Sequence, residues 1–211
     1  MTATTTPVIT APGVYDLDEA DYHRDPVPGG SLSFSSAKRL LPPSCPALFA
    51  HEREHGRPNK ATFDFGHAAH AAVLGVGAPL AVIDAPDWRS KAAREERDAA
   101  YAAGLTPVLA DEAAQVDGMV AALRRHPTAS ALLDPTCGKA EQSLFRQEPR
   151  HGVWLRSRVD WLGEPDADGH LILADYKTTV SADPGAISRT VATYGYHAQH
   201  AWYTDQACWA W

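Results

Sequence analysis

Two segments of this chain place charged side chains where apolar ones are the rule. In Leu171-Ile172-Leu173-Ala174-Asp175-Tyr176-Lys177, four apolar residues lead into an acid and a base two positions apart. A strand alternates its side chains between faces, so Asp175 and Lys177 emerge side by side at its end. In Val153-Trp154-Leu155-Arg156-Ser157-Arg158-Val159-Asp160-Trp161-Leu162, the same alternation puts Arg156, Arg158 and Asp160 on one face and Leu155, Val159 and Trp161 on the other. Two carboxylates from neighbouring strands can hold Mg²⁺ or Mn²⁺ through oxygen and leave positions for water and a phosphate oxygen. Such an ion lowers the pKa of bound water, while a nearby ammonium can stabilise a pentavalent phosphate and orient or deprotonate the attacking water. The competing reading is a buried ion pair, which costs desolvation and is an uneconomical way to stabilise a core. Asp-x-Lys is short and common, and by itself decides nothing.

The elements that must position these residues follow from periodicity. At Gly138 the apolar period changes from about 3.6 to 2, and Ala140–Gln147, Val153–Leu162 and Leu171–Lys177 read as a three-stranded meander with Pro, Gly and Asp turns. Upstream, Phe63 to Leu74 reads as a buried helix in which Phe63, His67, His70 and Leu74 share a face and alanines permit close packing. Ala92–Ala103 reads as an exposed helix, and Asp111–Arg125 as an amphipathic one with Val116, Met119, Val120 and Leu123 inward. The hydroxyls of Ser33–Ser36 suit the start of a short helix over Ala37–Leu41, stopped by Pro42-Pro43, and a second short helix follows Pro46. The basic and His-bearing stretch His51 to Lys60 is then a linker, and Arg53 to Lys60, with Lys38 and Arg39 upstream, reads either as a contact to a nucleic-acid backbone or as a solvated surface. Residues 1–30 read as an irregular arm, although Val14–Leu17 could add a short strand. Ala186–Trp211 reads as one helix around Tyr194, Gln199, Trp202 and Tyr203; it meets no cap or polar tail, so a truncated C-terminus is expected.

Composition narrows the classes. With 211 residues, 45% hydrophobic and 21% charged, the chain fits a folded domain rather than a disordered, collagenous or coiled-coil one. Nineteen Lys and Arg against 26 Asp and Glu leave a net charge of −7, which argues against a general nucleic-acid-coating protein but allows a local basic groove. The longest apolar run, Ala71 to Ile83, is broken by Pro79 and is too short to span a membrane. The Thr-rich start lacks the pattern of a secretory signal, so a cytoplasmic location is expected. Cys45, Cys137 and Cys208 form no CxxC pair, so neither a disulfide framework nor a thiolate metal centre is indicated. His67 and His70 form H-x-x-H, but helical zinc pairs favour i, i+4 spacing and want further ligands, so structural zinc is not expected. Neither a phosphate-binding GxxxxGK[ST] loop nor a G-x-S-x-G nucleophile elbow occurs in the sequence.

Four stretches in order carry a resemblance: Gly66-His67-Ala68-Ala69-His70, Ser157-Arg158-Val159-Asp160, Asp175-Tyr176-Lys177-Thr178-Thr179, and Tyr194 to Tyr203. They are similar to the G-x-x-x-H helix, the second motif, the D-x-K-T motif and the Q-x-x-x-Y helix of the PD-(D/E)xK nuclease superfamily, and within it of the exonuclease VIII (RecE-like) and RecB-like branch. The similarity covers about Phe63 to Tyr203, and Ser33–Phe49 also resembles the family's N-terminal segment. It implies an α/β fold with a restriction-endonuclease-like core, a mixed sheet flanked by helices, as a single domain over 31–211. It further implies that His70, Asp160 and Asp175 bind Mg²⁺ or Mn²⁺, with the Tyr176 carbonyl as another ligand and Lys177 as the catalytic lysine. By the same resemblance Glu141 is a candidate for a second ion or a water ligand. Gln199 and Tyr203, at i and i+4, would support the active site and contact DNA. Arg158, rather than Arg156, occupies the family's Arg-x-Asp position and is a further candidate DNA contact.

The implied activity is metal-dependent DNA hydrolysis, as a 5′-to-3′ exonuclease on linear double-stranded DNA in phage or prophage recombination or DNA repair. The implied partners are DNA, a single-strand annealing protein and, for a ring-forming enzyme, further copies of the chain. Two rival readings use the same residues. One is an inactive DNA-binding or assembly protein on the same fold. The other is a zinc hydrolase of a small molecule that has no use for Lys177.

Overall fold

A computed structural model describes residues 7–56 and 64–210. Phe63, the end of the expected basic linker at Lys60, the first six residues and Trp211 lie outside the described residues. In chain order come β1 (Gly13–Tyr15), α1 (Glu19–His23), β2 (Leu32–Ser33), α2 (Phe34–Ala37), a 3₁₀ turn (Lys38–Leu40), α3 (Pro46–His55) and α4 (Asp64–Leu74). Then follow β3 (Leu80–Ile83), α5 (Lys91–Ala102), β4 (Thr106–Leu109), α6 (Ala110–Arg125) and α7 (Pro127–Leu132). The chain continues through β5 (Gly138–Gln147), β6 (Trp154–Gly163), β7 (Leu173–Ala174), α8 (Pro184–Tyr194) and α9 (Tyr196–Ala210). This is a mixed α/β fold whose sheet combines parallel and antiparallel strands.

The fold divides into two compact units, and β5 and β6 are each shared between them, at Ala140 and at Val159. The first unit comprises the described residues of Met1–Pro58, Glu141–Val159 and Thr179–Trp211. Here β1 runs antiparallel to β5, with Gly13 opposite Phe145 and Tyr15 opposite Ser143, and β2 runs parallel to β6, with Ser33 opposite Arg156. Ile9, Leu17, Tyr22, Val27 and Phe145 form its core, with Tyr15 and Trp154 packed against them. The first thirty residues thus supply a strand, a helix and four core side chains, where composition suggested an irregular arm. Thr, Pro and Gly set the average, yet the apolar residues recur often enough to close one side of the sheet.

The second unit comprises the described residues of Asn59–Ala140 together with Asp160–Thr178. Its β3 and β4 pair in parallel, Leu80 with Thr106 through Ile83 with Leu109, and α5 is the crossover that parallel strands require. Helices α4 and α6 pack over this pair around Ala68, Ala69, Val108 and Val116, joined by Phe65, Ala72, Leu80, Ala113, Met119 and Tyr176. The buried stripe of α4 is therefore its alanine side, while His67 is exposed and His70 half-buried. Small side chains let the helix approach closely, and the imidazoles are left at the margin. The end of β6 pairs antiparallel with β7, Trp161 with Ala174 and Leu162 with Leu173.

Several boundaries differ from those that periodicity suggests. His51–His55 belongs to α3, not to a linker. The last helix is two, broken at Gly195, whose φ of 73° is left-handed and ends α8. Of the expected Leu171–Lys177 strand only Leu173–Ala174 forms β7, with the Ile172 carbonyl also accepting from the Gly163 N–H at 2.9 Å, and Ile172 is 53% exposed.

Gly138 is required where β5 starts. A Cβ there would lie 2.5 Å from the Leu162 carbonyl oxygen, 2.7 Å from Trp161 Nε1 and 2.8 Å from Gly163 Cα. Gly138→Ala is expected to destabilise the protein by about 1–3 kcal/mol in urea titrations, because backbone must move to admit the methyl. Gly118, in the middle of α6, has nothing within 4 Å of the same position. Gly118→Ala should therefore stabilise by about 0.4–1 kcal/mol. Equal effects of the two substitutions would contradict this account.

Candidate functional site

Three segments of the second unit bring titratable groups together. The helix α4 presents His70, the end of β6 presents Asp160, and the extended chain after β7 presents Asp175, Tyr176 and Lys177. Asp160 lies in the strand between the buried Val159 and Trp161, and its side chain is only 13% exposed. Because β7 stops at Ala174, the chain beyond it leaves the ladder, and the Tyr176 N–H donates to Asp160 Oδ2 at 2.7 Å. The Tyr176 ring stands edge-on to His70, with centroids 5.3 Å apart, and its hydroxyl reaches the Met119 sulfur at 3.6 Å. Tyr176 thereby ties the loop to the α4–α6 core at one end and orients Asp160 at the other.

Around the same Oδ2 atom, His70 Nε2 and Lys177 Nζ each lie 3.8 Å away. That separation is too long for a hydrogen bond. It is within the span of two ligands on one ion, since metal–ligand bonds of about 2.1 Å allow donor separations up to roughly 4 Å. Lys177 Nζ is 2.6 Å from Asp175 Oδ2, and the two side chains are 31% and 32% exposed. This pair is accessible to solvent rather than sealed in a core, which sets it apart from the buried ion pair that the sequence alone also allowed.

Burial pushes the Asp160 carboxyl up to about 6, against the pull of the Lys177 ammonium, and the Asp175 carboxylate adds to the rise. A carboxylate that resists ionisation in its own fold, beside a second carboxylate and an imidazole, is one that a divalent cation would stabilise. One nitrogen and two oxygen donors suit Mg²⁺ or Mn²⁺ better than a structural zinc site, which favours a closed set rich in Cys and His. These donors suit a divalent cation.

The remaining predicted residues lie in the first unit. Arg158 donates to Glu141 Oε2 at 2.5 Å, to the Leu17 carbonyl at 2.7 Å and to the Ser143 hydroxyl at 3.3 Å. Glu141 adopts a φ of 55°, a left-handed conformation that a non-glycine residue holds only when its surroundings enforce it. Gln199 Nε2 donates to the Tyr203 hydroxyl at 2.9 Å, so the i, i+4 pair on α9 acts as one polar unit. Arg156 is committed to partners within the first unit. Its guanidinium pairs with Asp25 at 2.6 Å, donates to the Ser31 hydroxyl at 3.0 Å and lies 5.2 Å from the centre of the Tyr22 ring. Of the basic residues upstream, Arg39 pairs with Glu52 and Arg53 donates to the Gly29 carbonyl at 3.1 Å.

Sequence reasoning did not find Tyr22 and Asp25, which neutralise and cover the strand arginines. A usable signal existed: two arginines in a strand with an apolar face need counter-charges, and Asp16 to Asp25 is a notably acidic stretch of the chain. Burial raises the Tyr22 phenol to about 12, so it stays neutral between the two guanidinium groups.

No curated protein is significantly similar to the chain. A family model does match, that of the PD-(D/E)XK nuclease superfamily, over residues 31–208.

Proposed function

This chain belongs to the PD-(D/E)XK nuclease superfamily, and on that premise we propose that it is an exonuclease degrading linear double-stranded DNA in the 5′-to-3′ direction. Metal-dependent hydrolysis of phosphodiester bonds is the chemistry that membership supports. The observation that carries the reading is the set around Asp160: His70 and Lys177 at 3.8 Å from one carboxylate oxygen, and Asp175 bonded to Lys177.

His70, Asp160, Asp175 and the Tyr176 carbonyl would hold Mg²⁺ or Mn²⁺, which when bound supplies a water of lowered pKa and neutralises charge on the phosphate. The chain's own groups have separable tasks. The Tyr176 N–H fixes Asp160 in advance, so that its carboxylate need not reorganise during reaction. The Lys177 ammonium, steered by Asp175, orients the attacking water and offers positive charge as the phosphate becomes pentavalent. Glu141, held by Arg158, is the candidate for a second ion or a water ligand. Gln199 and Tyr203 contact the DNA, with Arg158 as a further contact. The biological setting we propose is phage or prophage recombination or DNA repair, with a single-strand annealing protein and further copies of the chain as partners. Among the described residues no helix is long and apolar enough to cross a membrane.

The test is incubation with linear and with covalently closed circular DNA in Mg²⁺, Mn²⁺ or EDTA. Metal-dependent loss of the linear form alone is the expected result, and end-labelled substrates then give the polarity. Cleavage of the closed circle would make the enzyme an endonuclease. No cleavage of either form by folded protein would favour an inactive DNA-binding or assembly role.

A further inference from the structure

The junction of α8 and α9 carries two tyrosines that the catalytic site does not use. Tyr194 and Tyr196 flank Gly195, and their rings lie nearly parallel, with centroids 5.7 Å apart and 20° between planes. Tyr194 is 58% exposed. Stacking onto one another leaves an outer aromatic face turned to solvent, although a ring of this size gains stability mainly by burial. The junction is a fixed joint. The Gly195 N–H donates to the Val191 carbonyl at 3.0 Å, and the Gly195 carbonyl accepts from Ala198 and Gln199 at 3.0 Å each.

The N-terminal part of the same unit supports it. Lys38 Nζ donates to the Tyr194 carbonyl at 2.8 Å, and Phe34, one helical turn earlier, stands edge-on to Trp202 with centroids 6.4 Å apart. A Cβ at Gly195 would sit 3.4 Å from Lys38 Nζ and 3.8 Å from Phe34, so glycine serves here both the left-handed turn and the close approach. Lys38 is exposed, and an ammonium has three protons, of which the Tyr194 carbonyl takes one. A rigid π face beside a partly committed ammonium matches a planar ring joined to an anion. A neutral sugar would use the face but not the charge; a nucleotide uses both, with its base on the ring and its phosphate at the lysine.

We propose that Tyr194, Tyr196 and Lys38 form a base-stacking subsite for an unpaired nucleotide of single-stranded DNA. The inference rests on the nuclease reading and adds a strand preference to it, because a paired base keeps its faces inside the duplex stack and cannot use the platform.

The test measures fluorescence anisotropy in EDTA, in the Lys177→Ala background so that the probe survives. The probes are a labelled twenty-nucleotide oligo(dT) and a strand of equal length made of abasic deoxyribose phosphates, which keeps the charge and removes the bases. Tyr194→Ala is expected to weaken oligo(dT) binding by about 5- to 100-fold and to leave abasic-strand binding unchanged. Tyr194→Phe, which keeps the ring, should bind as the parent does. Lys38→Gln should weaken both probes and lower the salt dependence by about one counterion. Parent-like oligo(dT) binding by Tyr194→Ala, or equal losses on both probes, would overturn the subsite while wild-type cleavage of linear DNA still stood. If wild type neither cleaves nor binds DNA, the nuclease reading fails and the subsite with it.

Discussion

Lys177→Met is expected to lower the rate of DNA cleavage by about 10²- to 10⁴-fold, the usual contribution of a positioned proton-handling or charge-stabilising group. Methionine keeps most of the stem and removes the ammonium, so packing is largely conserved. What changes is charge. Asp175 loses its partner at 2.6 Å, and Asp160 loses a cation at 3.8 Å that opposes the rise in its pKa. The site becomes more negative, so Mn²⁺ binding, read by calorimetry, should be retained or tightened while turnover collapses. That split distinguishes a group acting on the phosphate and water from one that merely holds the ligands in place. A variant that cleaves within threefold of wild type, or that loses metal and activity together, would remove Lys177 from the mechanism.

The second large effect belongs to Asp160 and has a sign that can be worked out. Its carboxyl titrates near 3.8 in an open chain and at about 6 in the fold, chiefly because burial disfavours its charge. Below about pH 4 the group is protonated in both states. Between there and about 6 the unfolded chain releases the proton while the folded chain keeps it, so stability of the metal-free protein falls as pH rises and then levels off. A rise of about two units at roughly 1.4 kcal/mol each makes this as much as about 3 kcal/mol from one side chain. Urea titrations in EDTA from pH 4 to 7.5 should show the decline, and Asp160→Asn should remove most of it. Mn²⁺ should flatten the profile in wild type, because the ion favours the ionised carboxylate, and its affinity should weaken as pH drops through about 6, where protons compete for the ligand. Asp160→Asn is also expected to lower cleavage by at least about 10²-fold, through loss of an anionic ligand. An identical pH profile for wild type and variant in EDTA would show that Asp160 does not carry this linkage.

How far the sequence reveals this molecule depends on whether a feature is written in a local pattern. Asp160 stands out because it lies inside an otherwise apolar strand, and Asp175 and Lys177 because they end a continuous apolar run; the structure brings Lys177 to both carboxylates. His70 becomes a candidate ligand through family resemblance; its helix spacing alone suggests a buried histidine face, whereas alanines form the packed stripe. The bond from the Tyr176 N–H to Asp160 was not legible. It depends on β7 ending after two residues, and a continuous apolar run gives no sign that its last amides leave the ladder. The parallel β3–β4 pair was hidden for a related reason, since Leu80–Ile83 closes the apolar stretch that begins within α4. The break at Gly195 is weakly marked because helical residues follow on both sides; glycine there takes the left-handed turn that caps α8. Asp25 and Tyr22 are harder to find because Arg156 lies more than a hundred residues from them, so that only the match of strand arginines to a distant acidic stretch points to them.

That distance matters during synthesis. Ile9, Leu17, Tyr22 and Val27 share their core with Phe145 and Trp154, the Leu17 carbonyl is tied to Arg158 across 141 positions, and Ser31 to Arg156 across 125. At about 5–20 residues per second, a gap of that length keeps the nascent N-terminal segment waiting roughly 6–25 s for its partner strands to be translated. Throughout that interval four apolar side chains and the unpaired edge of β1 are open to solvent. Yield should therefore respond to co-translational chaperones and to lower growth temperature more than to substitutions at His70, Asp160, Asp175 or Lys177.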